Sequence, residues 1–243
     1  MTRSRATTPP RARVPRRPSP EPIFGKPAEL PRGPHTLSRD EVGASQRTRL
    51  MAALAELAAE RGYAETTVAE VSRRAGVAPN TFYAHFRDKL DCYLAAYDTL
   101  IEVLWTRMFG DLDAGSDWHD VMLATLTAYL DTLEQNPGIA RAALIEIDGA
   151  GPAARAHRRR AFEQSAALLK NLHQQMRRQD PSLGPLPDRV YMSILHGARE
   201  LVRDAIESGR PRRLTELAPD ILYWITATVR GAGAAAAELG EPH

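Results

Sequence analysis

The chain has 243 residues, of which 43% are hydrophobic and 26% charged, and its formal net charge is +2. No apolar run reaches the ~20 residues that a membrane-spanning helix needs, so we expect a soluble, cytoplasmic protein with no membrane partner. Cys92 is the only cysteine, which excludes a disulfide within the chain and a cysteine-based zinc site. Aromatic residues make up only 6%, so the core must be largely aliphatic, a composition that suits packed helices.

The first 37 residues carry most of the positive charge. They contain eight Lys and Arg residues against two Glu residues, and they hold nine of the 18 prolines. Because proline removes backbone donors and interrupts helices, and because apolar side chains are few here, we expect residues 1–40 to be a disordered basic tail. Such a tail suits a polyanion such as nucleic acid. A solvated tail without a role is an equally good interpretation.

Helical periodicity begins near Ser45, where Leu50, Leu54, Leu57 and Ala58 fall on one face. No later stretch alternates in the way that a strand requires. Clusters of glycine, proline and asparagine instead divide the chain into segments of helical length. After residue 87 these segments are 88–109, 117–135, 137–148, 153–179, 187–208 and 215–231. With three helices before residue 88, the pattern predicts an all-α protein of about nine helices.

The most informative segment is residues 67–86, with the sequence TVAEVSRRAGVAPNTFYAHF. Thr67 and Glu70 have the spacing of a capping box, which predicts a helix beginning after Thr67. Gly76 supplies the positive φ that a tight turn needs, and Pro79 suits the first turn of a following helix. The segment is therefore predicted to form two short helices joined by a glycine turn.

The second of these helices is predicted to have one buried face and one polar face. Phe82 and Phe86 are four residues apart and point inward. The outward residues are hydrogen-bonding types, namely Asn80, Thr81, Tyr83 and His85. Two short helices with such a face form the unit that fits the major groove of DNA. An αα-hairpin with no DNA-binding role has the same spacing and stays open as an alternative.

Residues 45–98 resemble the N-terminal domain of the TetR family of transcriptional regulators. The resemblance lies, in register, in AERGYAETTV (59–68), AGVA (75–78), TFYAHF (81–86) and DKL (88–90). It implies a helix-turn-helix DNA-binding domain at 41–90. It also implies a larger helical domain for effector binding and dimerisation at 91–243.

The same resemblance implies which residues contact DNA. The expected contacts to phosphates or bases come from Arg47, Thr67, Asn80, Thr81, Tyr83, His85 and Lys89. Ala78 departs from the family pattern, which usually has Ser or Thr at this position as a cap and phosphate contact. The base preference therefore does not follow from the resemblance. In a two-fold dimer, the two helix-turn-helix units would meet half-sites of a palindrome about 34–36 Å apart, or a multiple of that distance.

The second domain of the family implies a pocket for a small-molecule effector. The candidate lining residues are apolar or amphipathic, except for the ionisable Glu146 and His173. The whole set is Trp105, Met108, Phe109, Met122, Leu126, Tyr129, Glu146, Phe162, His173 and Tyr191. Ordinary core packing is the alternative for each of them. The last two helices are expected to form a homodimer interface, and a monomeric core is the alternative there.

The preferred hypothesis is a sequence-specific transcriptional regulator, a homodimeric repressor released from a palindromic operator by a small-molecule effector. A non-specific nucleoid-associated protein is the first alternative, because a basic tail alone can bind DNA. A helical enzyme is less favoured, since the sequence has no Gly-rich phosphate loop, HExxH motif or serine nucleophile elbow. The seven histidines are scattered, so we expect neither catalysis nor a metal or other cofactor.

Overall fold

The computed structural model describes residues 23–24, 38–110 and 117–239, of which 233–239 are described as backbone only. Within these residues there are nine α-helices and no strand, which confirms the all-α prediction. The helices are α1 (Arg39–Arg61), α2 (Val68–Arg74), α3 (Pro79–His85), α4 (Lys89–Phe109), α5 (Trp118–Gln135), α6 (Pro137–Leu144), α7 (Pro152–Gln179), α8 (Asp188–Ser208) and α9 (Ala218–Leu239). None of the helices in these ranges is both long enough and apolar enough to cross a membrane.

Two short 3₁₀ helices complete the described secondary structure, η1 (Glu146–Asp148) and η2 (Leu214–Leu217). The predicted helix over 137–148 is therefore divided. It comprises α6, which ends at Leu144, and η1, which follows after one residue.

Helix α1 begins at Arg39, earlier than the predicted start near Ser45. Ser38 is its N-cap. The Ser38 hydroxyl accepts a hydrogen bond from the Glu41 backbone N–H at 3.2 Å, and the Glu41 carboxylate accepts one from the Ser38 N–H at 2.7 Å. This capping box is visible in the sequence, but apolar periodicity missed it because the first turns of α1 carry few apolar residues. The predicted tail, 1–40, therefore extends too far.

Two residues of the predicted tail lie against the folded part of the chain. Ile23 donates its backbone N–H to Asn136 Oδ1 at 3.0 Å, and Ile23 and Phe24 both pack against the hydrophobic core. These two residues form a turn, so this part of the predicted tail has contacts with the folded part of the chain. The remainder of the predicted tail before Ser38 lies outside the described residues.

Helices α1–α3 enclose a small core of their own. Leu50, Leu54, Val71 and Phe82 are completely buried there. The turn between α2 and α3 is made by Gly76, whose φ of 65° is in the left-handed region that favours glycine. We call residues 38–91, which comprise α1–α3 and the first turn of α4, the reading head.

The remaining helices form a second bundle, which meets the reading head over two surfaces. Helix α4 packs against α1 and continues into the second bundle, where it packs against α5 and α7. Helix α6 also packs against α1. A movement of α4 or α6 would therefore displace the helices of the reading head directly. The domain boundary predicted between residues 90 and 91 lies inside the first turn of α4.

Candidate DNA-binding face and interior cavity

The outer face of α3 carries two side chains suited to contacting DNA. Asn80 and Tyr83 are exposed, and Tyr83 retains 61% of its accessible surface. Thr81 is half-buried. On the opposite side of α3, Phe82 is completely buried, and its ring meets that of Tyr83 edge-on with centroids 5.4 Å apart. Burial of Phe82 thus fixes the rotation of α3 so that Asn80 and Tyr83 point away from the core.

Helix α3 begins without the side-chain cap that the family usually has at this position. Ala78 is the N-cap residue and makes no side-chain capping hydrogen bond, while Pro79 occupies the first turn. A Ser or Thr at position 78 would have offered a hydroxyl to the first-turn N–H groups. Pro79 has no backbone N–H, so one fewer donor in this first turn needs a hydrogen-bond partner.

Arg47 and His85 lie together at the end of α3. Arg47 Nη1 donates to the His85 carbonyl oxygen at 3.0 Å, and its guanidinium lies 4.3 Å from the centre of the Phe86 ring. His85 Nε2 lies 3.2 Å from Gln46 Oε1. Burial, helped by the nearby charge of Arg47, lowers the pKa of His85. At neutral pH His85 is therefore a neutral hydrogen-bonding group.

Thr67 uses its polar groups to begin α2. Its hydroxyl lies 2.7 Å from Glu70 Oε2 and accepts a hydrogen bond from the Glu70 N–H at 3.4 Å. The Thr67 N–H donates to the same carboxylate at 3.1 Å. The residue is exposed, but a phosphate contact from Thr67 would have to replace part of this capping box.

Lys89, which is expected to contact a phosphate, lies against the loop between α1 and α2. Its Nζ donates to the carbonyl oxygens of Tyr63 at 2.8 Å, Ala64 at 3.3 Å and Thr66 at 2.8 Å. The ammonium also lies 4.2 Å from the centre of the Tyr63 ring. An ammonium group has three hydrogens to donate, and all three are directed at the loop between α1 and α2. Lys89 therefore holds this loop in place, and a phosphate contact from Lys89 would have to replace part of these hydrogen bonds.

Two exposed arginines of the reading head were missed by the sequence interpretation. The side chains of Arg87 and Arg73 retain 85% and 75% of their accessible surface. Arg87 directly precedes Asp88, the N-cap of α4, and Arg73 lies in the last turn of α2. The reading head has eight basic and eight acidic side chains, so such exposed cations matter for an anionic partner. Adjacency to the helix-turn-helix motif was the signal that could have found them.

An interior cavity of about 140 Å³ lies in the second bundle. Helices α4 to α9 all contribute to its wall, which is mainly apolar. Seven of the ten predicted pocket residues line it, namely Trp105, Met108, Phe109, Met122, Leu126, Tyr129 and Phe162.

The cavity wall also contains a buried arginine that the sequence interpretation missed. Arg199 is only 6% exposed, and its Nη2 donates to the Leu144 carbonyl oxygen at 2.6 Å and to Asp148 at 3.1 Å. Its spacing in the sequence could have indicated burial, since Arg199 lies on the same helical face as Leu195 and Val202. An arginine on an apolar face needs buried partners, and these come from distant parts of the chain.

Glu146 does not line the cavity, contrary to the prediction. It belongs to η1, and its carboxylate accepts a hydrogen bond from the Tyr63 backbone N–H at 3.2 Å. Arg141 lies 3.9 Å from the same carboxylate. Glu146 therefore ties η1 to the loop that Lys89 also holds.

His173 and Tyr191 also lie away from the cavity, where they form a buried pair. His173 Nδ1 is 2.8 Å from the Tyr191 hydroxyl, and Trp118 packs edge-on against the imidazole. His173 Nε2 is buried and has no hydrogen-bond partner among the described residues. Burial, with a smaller contribution from the charge of Arg177, lowers the pKa of His173 to about 4. These two residues thus belong to the core and are not among the residues that line the cavity.

Mild acid should destabilise the protein through His173. Its pKa is about 4 in the folded state and 6.5 for an unperturbed histidine, so the unfolded chain binds the proton first. The stabilisation is complete above pH 6.5 and is lost as the pH falls toward 4. From pH 7 to 5 we expect the free energy of unfolding to fall by about 2 kcal/mol from this residue.

Urea unfolding at several pH values measures this effect, and His173→Gln is the control. The other histidines and the carboxylates titrate in both proteins, so the difference in pH dependence isolates His173. An identical pH dependence in the variant would show that His173 is not the source.

Comparison with known proteins gives a match over the reading head. The family model described as "Bacterial regulatory proteins, tetR family" matches residues 50–96. This range contains all of α2 and α3 and parts of α1 and α4. It therefore includes the turn at Gly76 and the exposed face of α3.

Solved structures resemble the chain well beyond that segment. The transcriptional regulator FadR from Bacillus subtilis, solved in complex with stearoyl-CoA, is 18% identical with a TM-score of 0.66, and the match covers 75% of this chain and 97% of that one. For FadR from Bacillus halodurans the identity is 17%, the TM-score 0.66 and the coverage 76% and 96%. A TetR family transcription regulator from Marinobacter aquaeolei VT8 is 19% identical with a TM-score of 0.59, and the match covers 76% of this chain and 96% of that one.

These likenesses cover nearly the whole of each solved chain, so they include both the reading head and the second bundle. At this level of identity they describe the fold, while the match over residues 50–96 describes the DNA-binding segment. Taken together, residues 50–96 match the tetR family of bacterial regulatory proteins, and the two-part helical fold is similar to that of solved transcriptional regulators.

Proposed function

We propose that the protein is a homodimeric repressor that binds a palindromic operator through α3 and is released by a small molecule in the interior cavity. The observation that carries the proposal is the outer face of α3, where Asn80 and Tyr83 are exposed above the buried Phe82. A short helix with exposed hydrogen-bonding side chains, supported by a second helix across a glycine turn, fits the major groove.

The proposed contacts divide into two kinds. Asn80 and Thr81 would meet base edges, whereas Tyr83 and Arg47 would meet phosphates. Phosphate contacts position a protein on DNA, and contacts to base edges give sequence specificity. The exposed Arg87 and Arg73 would join the phosphate contacts, as would His85 through a neutral hydrogen bond. The basic residues 1–37 would add affinity that is independent of sequence.

The homodimer is proposed to form through α8 and α9. Many of the apolar side chains that the structure describes on these helices are buried within the chain, so the surface left for dimerisation is smaller than the sequence pattern indicated. Leu201 and Tyr223 remain 46% and 79% exposed. A Cβ atom at Gly197 would lie only 2.6 Å from the Trp224 ring, so a larger residue there would displace this tryptophan. Sedimentation over a range of concentrations measures the oligomeric state.

Release by a ligand is supported first by the position of α4. Trp105 and Met108 line the cavity and lie near the end of α4, the helix whose beginning belongs to the reading head. A ligand that displaced these side chains would tilt α4 and change the spacing of the two reading heads in a dimer. The Bacillus subtilis relative with stearoyl-CoA is a regulator of the same fold that binds a small molecule.

A second connection from the cavity to the reading head runs through η1. Arg199 in the cavity wall bonds to Asp148 of η1, and Glu146 of η1 accepts the Tyr63 N–H. The Tyr63 carbonyl in turn accepts from Lys89. A displacement of the Arg199 side chain would therefore alter the position of the loop before α2 through this series of hydrogen bonds.

Footprinting on DNA fragments selected by the protein tests the proposed function. We expect protection of a palindrome with half-sites about one helical turn apart, or a multiple of that spacing. Uniform coverage would instead favour the nucleoid-associated alternative. Asn80→Ala should weaken operator binding about tenfold and leave unrelated DNA unaffected, because a base contact contributes ~1–3 kcal/mol of discrimination.

Tyr83→Ala is the matched variant on the same face. It should weaken operator and unrelated DNA by similar factors, since a phosphate contact carries no sequence information. Tyr83→Phe keeps the ring and removes only the hydroxyl, so it separates the hydrogen bond from packing. Wild-type affinity in both Asn80→Ala and Tyr83→Ala would contradict the assignment of α3 as the helix that reads DNA.

A further inference from the structure

Three hydrogen-bonding groups of the cavity wall have no partner of their own. Arg199 Nε is buried without a hydrogen-bond partner in the described part of the chain. Tyr97 and Tyr129 also line the cavity, and neither hydroxyl bonds to another described residue. Both phenols lie close enough to Arg199 for its charge to act on them. A buried donor without a partner costs free energy, and a ligand atom that accepts from it removes that cost.

Both phenols are neutral donors at any physiological pH. Burial raises the pKa of Tyr97 and of Tyr129, and the nearby Arg199 only partly opposes the shift. With Arg199 Nε, they add three N–H or O–H groups to a wall that is otherwise mainly apolar, since the hydroxyls of Thr125 and Ser165 already donate to backbone carbonyls. The complementary atom is an oxygen that accepts hydrogen bonds.

The charge of Arg199 is already balanced by the protein. Its Nη1 lies 3.0 Å from Glu200, and its Nη2 lies 3.1 Å from Asp148. Arg158 shares Asp148, and Arg203 shares Glu200; Glu207 in turn pairs with Arg203. An anion entering the cavity would lose its hydration without meeting an uncompensated cation, and that loss is large. A neutral acceptor loses far less.

The volume of the cavity suits a small ligand. A cavity of about 140 Å³ is close to the ~150 Å³ of an apolar protein cavity that accommodates benzene. The aromatic and aliphatic wall, which includes Trp105, Phe109, Leu126 and Phe162, suits a flat apolar body.

We propose that the cavity binds a small neutral molecule, about the size of one aromatic ring, with a single carbonyl-type acceptor directed at Arg199, Tyr97 and Tyr129. This inference rests on the proposed effector role of the cavity. It adds the chemical class of the ligand and the residues that recognise it.

Three molecules of the same skeleton test the proposal, namely acetophenone, cumene and benzoate. They share shape and differ in having a neutral acceptor, no acceptor or a negative charge. With the full-length protein, isothermal titration calorimetry should give at least about tenfold tighter binding of acetophenone than of either other molecule. Equal binding of cumene would overturn the role of the polar groups, and tightest binding of benzoate would overturn the neutral class. Absence of binding by all three would overturn the inference as a whole.

Tyr129→Phe is the first variant, because it keeps the ring and removes only the hydroxyl. It should weaken acetophenone about fivefold, the equivalent of one hydrogen bond of ~1 kcal/mol, and leave cumene unchanged. Arg199→Lys keeps the positive charge and removes Nε, and it should weaken acetophenone by at least as much. An acetophenone affinity equal to that of the wild type in both variants would refute the assignment.

Footprinting of the wild-type protein separates this inference from the function on which it rests. A protected palindrome without acetophenone binding would overturn only the ligand class. Absence of a protected palindrome would overturn the proposed repressor, whatever the calorimetry gives.

Discussion

Phe82→Ala should unfold the reading head and abolish operator binding. Phe82 is completely buried at the centre of the α1–α3 core, with its ring centroid 5.7 Å from that of Phe86. Removing a buried phenylalanine side chain costs about 3–5 kcal/mol, a large share of the ~5–15 kcal/mol that stabilises a typical domain. We expect hydrogen exchange in α2 and α3 to accelerate and operator affinity to fall more than ~100-fold.

The second bundle supplies an internal reference for this experiment. All three tryptophans, Trp105, Trp118 and Trp224, lie outside the reading head. Their emission maximum should therefore stay close to that of the wild type while exchange in α2 and α3 rises.

Tyr83→Ala is the matched control, since it removes the neighbouring but exposed ring. It should change the free energy of unfolding by no more than about 0.5 kcal/mol. If Phe82→Ala kept both the stability and the operator affinity of the wild type, Phe82 would not be what fixes the orientation of α3.

Lys89→Met should destabilise the reading head by about 2–4 kcal/mol without changing the salt dependence of whatever DNA binding remains. The substitution removes the charged donor to the carbonyls of Tyr63, Ala64 and Thr66. Hydrogen bonds to charged groups are each worth about 1.5–3 kcal/mol, and carbonyls left without a donor add a desolvation cost. Methionine keeps a similar length and apolar stem, so lost packing makes a small contribution.

Salt dependence separates this structural role from a phosphate contact. Each phosphate neutralised by the protein contributes about 0.9 to the slope of log affinity against log salt. Arg87→Ala removes an exposed cation two residues before Lys89, so it should lower the slope by about that amount while preserving stability. The reverse result, a normal stability and a reduced slope for Lys89→Met, would return Lys89 to the phosphate contact that the family resemblance implies.

Much of the reading head could be predicted because its determinants are local. The Thr67–Glu70 capping box, the left-handed turn at Gly76 and the helix start at Pro79 each act within about four residues. Spacing over a few residues therefore predicts where α2 and α3 begin and where the turn between them lies. Ser38 and Glu41 obey the same rule, whereas apolar periodicity begins later in α1 and therefore predicts a later start.

The cavity was predictable in part for a related reason. Trp105, Met108, Met122 and Leu126 recur at helical spacing on α4 and α5, and the packing of such faces brings them together. Periodicity identifies a buried face, but it does not distinguish a filled core from a cavity. That distinction depends on how completely side chains of six different helices fill the space between them.

Partners of ionisable groups were not predictable, because they come from distant parts of the chain. Lys89 reaches carbonyls 23 to 26 residues away, Arg199 bonds to a carbonyl 55 residues away, and Glu146 meets the Tyr63 N–H across 83 residues. A charged side chain at an apolar position must find a buried partner, and only the tertiary packing decides which one.

From the sequence alone came an all-α chain with two short helices joined by a glycine turn within residues 67–86, since capping, turn and helical spacing are local properties of a polypeptide. The tertiary structure alone decided which partner each polar side chain binds and where it lies. Lys89 holds a loop where the motif implied a phosphate contact, Glu146 joins the two bundles, and Arg199 lies in the cavity wall. The reason is that hydrogen bonds and ion pairs depend on distances in space, which helical periodicity does not contain.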